Sequence, residues 1–203
     1  MALKLYYFAG ACSLSPHIVA REAGVPIELE KFIAETGKTA SGEDYAASVT
    51  PKGYVPALRL EDGSVLTEGA AIVQLLADKA PEKRLIPAVG TIERYRTLEW
   101  LNYIASELHK GFYPLFVDGH TEEQKQAARA ALAPKFAFVE KALQGKQFLF
   151  GDRFDVADAY LFTVLSWTKY VGIQLSAALG DYLGRVAARP AVQEALKAEG
   201  LAK

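Results

Sequence analysis

The sequence predicts an α/β domain followed by an all-helical domain. Over the first eighty residues, short apolar runs typical of strands alternate with segments of helical periodicity. After Pro87, every long patterned segment has helical periodicity. An Asp62-Gly63 pair between two short apolar runs adds a tight β-hairpin to the first part.

The amino-terminal elements follow one another closely. Residues 3–8 form an apolar and aromatic run that suits a buried strand. Ser15 then offers a helix cap, with Pro16 at the first helical position and Gly24 at the helix end. Residues 25–33 alternate apolar and polar side chains, as a half-exposed strand does.

A hairpin and a helix complete this first part. Residues 55–58 and 65–66 flank the turn, and the segment EGAAIVQLLADKA after Thr67 is the closing helix. A βαβ half followed by a ββα half is the thioredoxin-like arrangement. We assign it residues 1–82, and we place the boundary within residues 81–91, which are rich in proline and charge.

Residues 88–203 form the predicted helical domain. Its first helix, over residues 91–108, has an apolar side and an opposite polar side. The polar side consists of Glu99, Asn102, Ser106 and His109.

Three further helices complete the predicted bundle. The second starts with a capping box between Thr121 and Gln124 and has an expected kink at Pro134. The third, over residues 155–171, is apolar almost all round and is therefore the expected central helix. The last covers residues 181–199.

Composition excludes several classes of function. The chain has 23 Lys plus Arg against 24 Asp plus Glu, without a block of like charge that would follow a nucleic acid backbone. It has neither a long apolar stretch for a membrane nor a signal-peptide pattern, so we expect a cytoplasmic protein. One cysteine and three scattered histidines predict no disulfide and no metal site.

Cys12 is the first candidate for chemistry. It follows a predicted strand and precedes a predicted helix, whose N-terminus would favour the thiolate and lower the thiol pKa. The alternative is a small buried side chain without a chemical role. The sequence leaves both interpretations open.

Two backbone features could hold a peptide-like ligand. A cis bond between Val55 and Pro56 would turn the Val55 N–H and C=O outward, whereas a trans proline at a strand start is the alternative. Thr67, Glu68 and Gly69 begin a helix, where N–H groups can bind a carboxylate and Glu68 an ammonium group. Plain capping of this helix by Thr67 is the competing interpretation.

Polar side chains on the helical domain form a third candidate group. Asn102, Ser106 and His109 are spaced to lie side by side on one helix, where they could line a cleft. His109 could then act as an acid or base or hold a thiolate, whereas a charge near the helix end is the alternative role for it and Lys110. Ser13 is a plausible neighbour of the Cys12 thiol.

The chain resembles the bacterial beta-class glutathione transferases over essentially its whole length. The order and spacing of four segments carry the resemblance: KLYYFAGACSLSPHIVAREAG, PKGYVPALRLEDGSVLTEGAAIVQLLAD, ERYRTLEWLNYIASELHKGFYPLF and GDRFDVADAYLFTVL. The resemblance implies that glutathione binds in an extended form between the two domains. It also implies an electrophile subsite in the helical domain, and a homodimer.

The resemblance implies specific roles for several residues. Cys12 would contact the glutathione sulfur or form a mixed disulfide with it, Val55 would pair with the cysteinyl backbone, and Glu68 with Gly69 would hold the γ-glutamyl end. Cys12 and His109 are the implied catalytic residues. The implied glutathione site comprises Cys12, Ser13, Lys38, Val55, Pro56, Glu68, Gly69, Asn102, Ser106, His109 and Lys110.

The implied activity is glutathione conjugation to electrophiles, glutathione-dependent thiol exchange through Cys12, or both. Glutathione would be the co-substrate, no metal would take part, and detoxification is the implied purpose. A non-catalytic carrier of apolar compounds is the alternative on the same fold, with aromatic residues 112–116 as its wall. A protein-interaction module that has lost glutathione is a weaker third hypothesis.

Overall fold

A five-stranded mixed sheet organises the first part of the computed structural model, which describes residues 2–202. The strands lie in the order β3-β2-β1-β4-β5. Their bounds are β1 Leu3–Tyr7, β2 Ile27–Ile33, β3 Lys38–Thr39, β4 Ala57–Arg59 and β5 Val65–Thr67.

The strand pairing confirms the thioredoxin-like arrangement. Strand β1 pairs in parallel with β2 and antiparallel with β4, and Leu5 lies opposite Leu29 and Leu58. Strands β4 and β5 form the predicted hairpin, whose turn contains Gly63 at a φ of 87°. Because β1 is the central strand, the loop that follows it lies near the middle of the sheet, at the end where β1 terminates.

Three helices accompany the sheet, namely α1 Leu14–Ala23, the short α2 Tyr45–Ser48 and α3 Gly69–Asp78. The predicted cap of α1 is wrong, because the helix already begins at Leu14 and its N-cap is Ser13. The Leu14 N–H donates to the Ala11 carbonyl, so helical geometry starts before Ser15. The Ser15 hydroxyl instead donates to the Cys12 carbonyl at 2.9 Å.

The helical part begins with an irregular segment where the sequence predicts one helix. Helix α4 covers Ile92–Tyr103, with the Thr91 hydroxyl as its cap. The chain continues as a π-helix over Ile104–His109, a 3₁₀ turn over Lys110–Phe112 and a short helix, α5 Tyr113–Phe116.

The second and third predicted helices are confirmed. Helix α6 covers Glu122–Leu143 with the predicted capping box at Thr121, and it contains Pro134. Helix α7 covers Val156–Ser166, and every residue from Val156 to Leu165 is buried, as expected of the central helix. A 3₁₀ turn over Trp167–Tyr170 follows it.

The predicted last helix is wrong, because two helices stand in its place. They are α8 Ala177–Ala187 and α9 Pro190–Ala198. Pro190 lacks an N–H and disfavours helical geometry at the preceding residue, and Arg189 accordingly has an extended ψ of 135°.

One apolar core joins the sheet side to the helical side. Helix α1 packs on α3 of the first part and on α7 and α9 of the second. Buried side chains from both parts, such as Ile18 and Leu161, belong to the same cluster. Every helix within residues 2–202 is too short or too polar to cross a membrane.

Candidate active site

A cavity of about 410 Å³ opens where the loop after β1 faces the helical part. The loop contributes residues 8–12, and the helical part contributes mostly aromatic side chains. The full lining consists of Phe8, Ala9, Gly10, Ala11, Cys12, His109, Lys110, Phe112, Tyr113, Phe116, Val117, Trp167 and Tyr170. The cavity is therefore apolar over most of its wall, with a thiol, an imidazole and an ammonium group at one side.

The loop after β1 is held by its own hydrogen bonds. The Ala11 N–H donates to the Phe8 carbonyl at 3.0 Å, and Gly10 adopts a φ of 74° that favours glycine. Ser13 is fully buried, and its hydroxyl bonds both the N–H and the carbonyl of Phe8 at 3.1 Å. Ser13 thus supports the loop from behind the cavity wall.

Cys12 lies between the cavity and Val55, which precedes strand β4. Its Sγ is 3.2 Å from the Val55 carbonyl oxygen and acts as the donor. Burial raises the pKa of the Cys12 thiol to about 12 and outweighs the backbone N–H groups of Cys12 and Ser13, which lower it. The expected lowering of the thiol pKa by the helix N-terminus is therefore wrong for the free protein, in which Cys12 is a thiol.

The peptide bond between Val55 and Pro56 is cis. The Val55 carbonyl lies beside the Cys12 sulfur, and Pro56 is buried against the start of α3. A Cβ atom placed on Gly69 would meet the Pro56 ring at 3.6 Å. Val55, Cys12 and Gly69 are thus neighbours along one side of the site.

Glu68 has an unusual backbone conformation for a residue with a side chain. Its φ is 69°, and it is the N-cap of α3, so capping of this helix by Thr67 is wrong. The Glu68 carboxylate accepts hydrogen bonds from Lys52 Nζ and from the Tyr54 hydroxyl, the latter at 3.2 Å. The Lys52 hydrogen bond holds the pKa of Glu68 below its usual value, so the exposed carboxylate is ionised.

Gly69 is the first residue of α3, and its Cα leaves space for a methyl group. The atoms nearest to an added Cβ would be Pro56 Cγ at 3.6 Å and Ser15 Oγ at 3.9 Å, which are ordinary contacts. Packing within the chain therefore does not require glycine here. The Ala71 and Ile72 N–H groups bond the Glu68 carbonyl, and the N–H groups that precede them at the helix start are of the kind that binds anionic ligands.

His109 lines the cavity as a neutral imidazole. Burial, together with the nearby Lys110 ammonium group, lowers the His109 pKa to about 4. Its Nδ1 lies 2.7 Å from the Tyr160 hydroxyl, and its ring meets the Trp167 ring at 4.9 Å between centroids. A cationic His109 that complements the helix end is therefore excluded near neutral pH, and Lys110 is the cation on this wall.

Asn102 and Ser106 are not brought into this cavity. Both are exposed and bond their own helix, Asn102 Nδ2 to the Leu98 carbonyl at 2.8 Å and Ser106 Oγ to the Asn102 carbonyl at 3.0 Å. The predicted alignment with His109 assumed an α-helix throughout. The π-helix has more residues per turn and therefore rotates His109 away from the other two side chains.

Lys38 also lies apart from the cavity wall. It is exposed on β3, the edge strand opposite β5. The basic residue that contacts Glu68 is Lys52, which the sequence argument did not assign. Lys52 and Tyr54 belong to the PKGYVP segment, so their nearness to the Val55-Pro56 pair was the signal that could have identified them.

Tyr160 and Trp167 are site residues that were not predicted from the sequence. Both belong to the apolar stretch of residues 155–171 and there resemble ordinary core positions. The structure places Trp167 in the cavity wall and the Tyr160 hydroxyl on His109. Residues 2–202 contain no group of three or more His, Cys, Asp or Glu side chains arranged to hold a metal ion.

Two family models match the two parts of the chain. The model described as the glutathione S-transferase N-terminal domain matches residues 9–79, and the one described as the C-terminal domain matches residues 122–198. The glutathione S-transferase GstA of Escherichia coli O157:H7 is 49% identical over 201 residues, which cover 98% of this chain and all of that protein.

Solved structures of similar bacterial proteins have the same fold over the same span. The ternary complex of BphK, a bacterial GST, superimposes with a TM-score of 0.95 at 52% identity, over 98% of this chain and 100% of that one. A sphingomonad glutathione S-transferase complexed with glutathione has a TM-score of 0.93 at 46% identity, with the same coverage. A bacterial beta-class enzyme of Sphingomonas chungbukensis also has a TM-score of 0.93 at 46% identity, over 98% of this chain and 99% of that one.

Proposed function

The chain belongs to the bacterial beta-class glutathione S-transferases and is a glutathione transferase, and from this premise we propose how its residues hold the two substrates. One observation carries the proposal. Cys12 lines the aromatic cavity, and the Val55 carbonyl that its sulfur contacts precedes Pro56, whose ring lies next to Gly69 at the start of α3. A tripeptide along Val55 and Glu68 would therefore present its sulfur to the cavity.

Each part of glutathione has a chemical partner on this path. The ionised Glu68 carboxylate suits the γ-glutamyl ammonium group, and the free N–H groups at the start of α3 suit its carboxylate. The backbone of Val55 can pair with the cysteinyl residue as a strand edge does. Lys38 and the exposed side chains of Asn102 and Ser106 stay predicted contacts, the last two from the helical part.

We assign Cys12 a hydrogen-bonding role toward the glutathione sulfur. A thiol with a pKa of about 12 is a poor nucleophile at neutral pH, but its S–H can turn from the Val55 carbonyl to the glutathione sulfur. Lys110 supplies positive charge, and neutral His109 supplies a further hydrogen-bonding group at the same wall. In conjugation the glutathione thiol loses its proton to solvent, the thiolate forms the new carbon–sulfur bond, and the leaving group departs with its electron pair.

The aromatic part of the cavity is the proposed electrophile subsite. Phe8, Phe112, Phe116 and Trp167 face one another there, and the Phe112 and Phe116 rings each meet Trp167 within 6 Å between centroids. Such a wall favours flat, apolar electrophiles such as aryl halides. The same wall would serve a carrier without catalysis, but the family membership does not favour that alternative.

Replacement of Glu68 tests the proposed binding mode. We expect Glu68→Gln to raise the glutathione KM about tenfold, because a charge-assisted hydrogen bond is lost, while kcat changes little. Glu61→Gln is the matched control, since Glu61 is another exposed carboxylate paired with a lysine, Lys79, at 3.1 Å. Steady-state kinetics with an aryl halide measures the glutathione KM of both variants. Equal values would contradict the proposed position of the tripeptide.

A homodimer is the proposed assembly. Helix α4 leaves Ile92 and Tyr95 largely exposed, at 63% and 59%, and their spacing of three residues puts them on one face. A second copy of the chain would cover this face. Light scattering on the purified protein should give twice the mass of one chain, and Tyr95→Glu should reduce that mass, whereas a wild-type monomer at micromolar concentration would refute the dimer.

We also propose that the protein acts in the cytoplasm, where it removes reactive electrophiles. Glutathione is the co-substrate of this reaction. Cell fractionation with an antibody against the protein would test the compartment. Recovery of the protein outside the cytoplasmic fraction would contradict it.

A further inference from the structure

Two distant residues bind the backbone of Gly10, in the loop that forms one wall of the cavity. The Gly10 N–H donates to Glu199 Oε2 at 2.9 Å, and the Gly10 carbonyl accepts from the Trp167 indole N–H at 2.8 Å. Glu199 follows the last helix, α9, and lies 189 residues from Gly10 in the chain. The peptide groups on both sides of one glycine are therefore fixed by the helical part.

The second oxygen of the same carboxylate binds the helix that follows Cys12. Glu199 Oε1 lies 2.8 Å from His17 Nδ1, and both side chains are fully excluded from solvent. Arg21 Nε can only donate, so His17 Nε2, at 3.4 Å, accepts and Nδ1 carries the hydrogen that Glu199 receives. One buried carboxylate thus holds the chain before Cys12, at Gly10, and after it, at His17.

Attachment of α9 to α1 does not by itself require this arrangement. Arg189 at the start of α9 already forms a two-point ion pair with Glu22 on α1, at 2.6 and 2.8 Å. Burial of a carboxylate away from water is destabilising unless both of its oxygens are hydrogen-bonded. For Glu199, one of these two hydrogen bonds comes from Gly10 in the cavity loop. Leu201 packs at the same point, because a Cβ on Gly10 would meet its side chain at 3.6 Å.

We propose that Glu199 is a positioning residue of the transferase site. It touches neither substrate, and it acts by fixing Gly10 and His17 so that the Cys12 thiol and the wall of residues 8–12 face the electrophile in one geometry. This inference rests on the transferase activity and on the assignment of the cavity to the electrophile. It assigns a function to a carboxylate at the far end of the chain.

Glu199→Gln tests the proposal. A glutamine oxygen can accept from either donor, but its NH₂ group cannot accept from the other, so one of the two fixed points is lost. We expect kcat/KM for the electrophile to fall about tenfold, since small displacements of a reacting group reduce rates strongly. The glutathione KM should stay within about twofold, because Val55, Glu68 and Gly69 lie on other elements.

Glu22→Gln is the matched control, because it weakens the ion pair between Glu22 on α1 and Arg189 at the start of α9. Glu22 is not part of the cavity loop. This substitution should lower the melting temperature as Glu199→Gln does, but keep kcat/KM within about twofold of wild type. If both variants lose stability alike and both keep kcat/KM, Glu199 is a structural residue only and the proposal is overturned. If Glu199→Gln does not fold, Glu199→Asp replaces it, because its shorter side chain keeps the charge but cannot reach both donors.

Tryptophan fluorescence tests the positioning role of Glu199 independently of the transferase activity. In a Trp100→Phe background, Trp167 is the one remaining tryptophan of the 203-residue chain and reports on its hydrogen bond to Gly10. We expect Glu199→Gln to shift the Trp167 emission in the absence of any substrate, and Glu22→Gln to leave it unchanged. Identical emission from both variants would overturn the positioning role even if the transferase activity is normal.

Discussion

At the Cys12 sulfur, desolvation and the helix N-terminus act in opposite directions, and desolvation is stronger. The N–H groups of Cys12 and Ser13 lower the thiol pKa as the sequence predicts, but burial raises it to about 12. The position of Cys12 after a strand and before a helix is visible in the sequence. Its degree of burial is not, because its neighbours include Val55, 43 residues further along the chain, and residues of the helical part.

The protonation state of Cys12 predicts which substitutions the enzyme tolerates. Cys12→Ser keeps a hydroxyl donor and should retain conjugation activity within a few-fold, whereas Cys12→Ala removes the donor and should lower kcat about tenfold. Kinetics with an aryl halide at saturating glutathione measures both. Complete loss of activity in Cys12→Ser would instead indicate a nucleophilic Cys12, as would a glutathione adduct on the Cys12 peptide that forms during turnover.

His109 should make the folded protein sensitive to acid. Its folded pKa of about 4 lies below the unfolded value of about 6.5, so the unfolded chain binds the proton more tightly. This contribution to stability is present above pH 6.5 and is lost as the pH falls toward 4, by about 2 kcal/mol at pH 4.5.

His109→Asn isolates that contribution from those of other groups. Denaturant unfolding at pH 7 and pH 4.5 should show a larger loss of unfolding free energy for wild type than for the variant. The difference between the two losses of unfolding free energy isolates the His109 imidazole, because the carboxyl groups titrate equally in both proteins. Equal losses would contradict the neutral, buried state of His109.

Helices and turns that are marked by nearby residues, such as capping or turn residues, are predictable from the sequence. The capping box at Thr121 and the turn at Gly63 depend on nearby residues and occur as expected. The π-helix over Ile104–His109 has no comparable local signal, because packing against α7 and α6 selects it. The break at Pro190 had a local signal, since proline disfavours helical geometry at the residue before it.

Gly111 provides a test of packing at the element scale. A Cβ at this position would lie 2.6 Å from Leu132 Cδ2, and Leu132 is fully buried on α6, so it cannot move aside cheaply. We expect Gly111→Ala to lower the free energy of unfolding by about 1–3 kcal/mol. Gly180→Ala, on the exposed side of α8 with nothing within 4 Å, should instead raise it by about 0.5–1 kcal/mol.

Chemical denaturation measures both glycine variants under identical conditions. Opposite signs for the two substitutions would confirm that the tight approach of Gly111 to α6 is real. A Gly111→Ala variant as stable as wild type would contradict it.

In the whole molecule, the site combines parts of the chain that the sequence cannot bring together. The fold class, the two-part division and the individual positions of Cys12, Glu68 and His109 follow from local pattern and from the resemblance. Contacts such as Gly10 with Trp167, 157 residues apart, depend on how the helical part packs on the sheet. The domain boundary near residues 81–91 stays a prediction, since one apolar core crosses it.

The proposed binding mode depends most on where the glutathione sulfur lies, and a crystal structure with glutathione bound measures that position directly. We predict density for an extended tripeptide with its γ-glutamyl end at Glu68 and Gly69 and its sulfur within hydrogen-bonding distance of Cys12 Sγ, at the mouth of the aromatic cavity. Glutathione bound with its sulfur away from Cys12, or no density at saturating glutathione, would contradict the proposed binding mode.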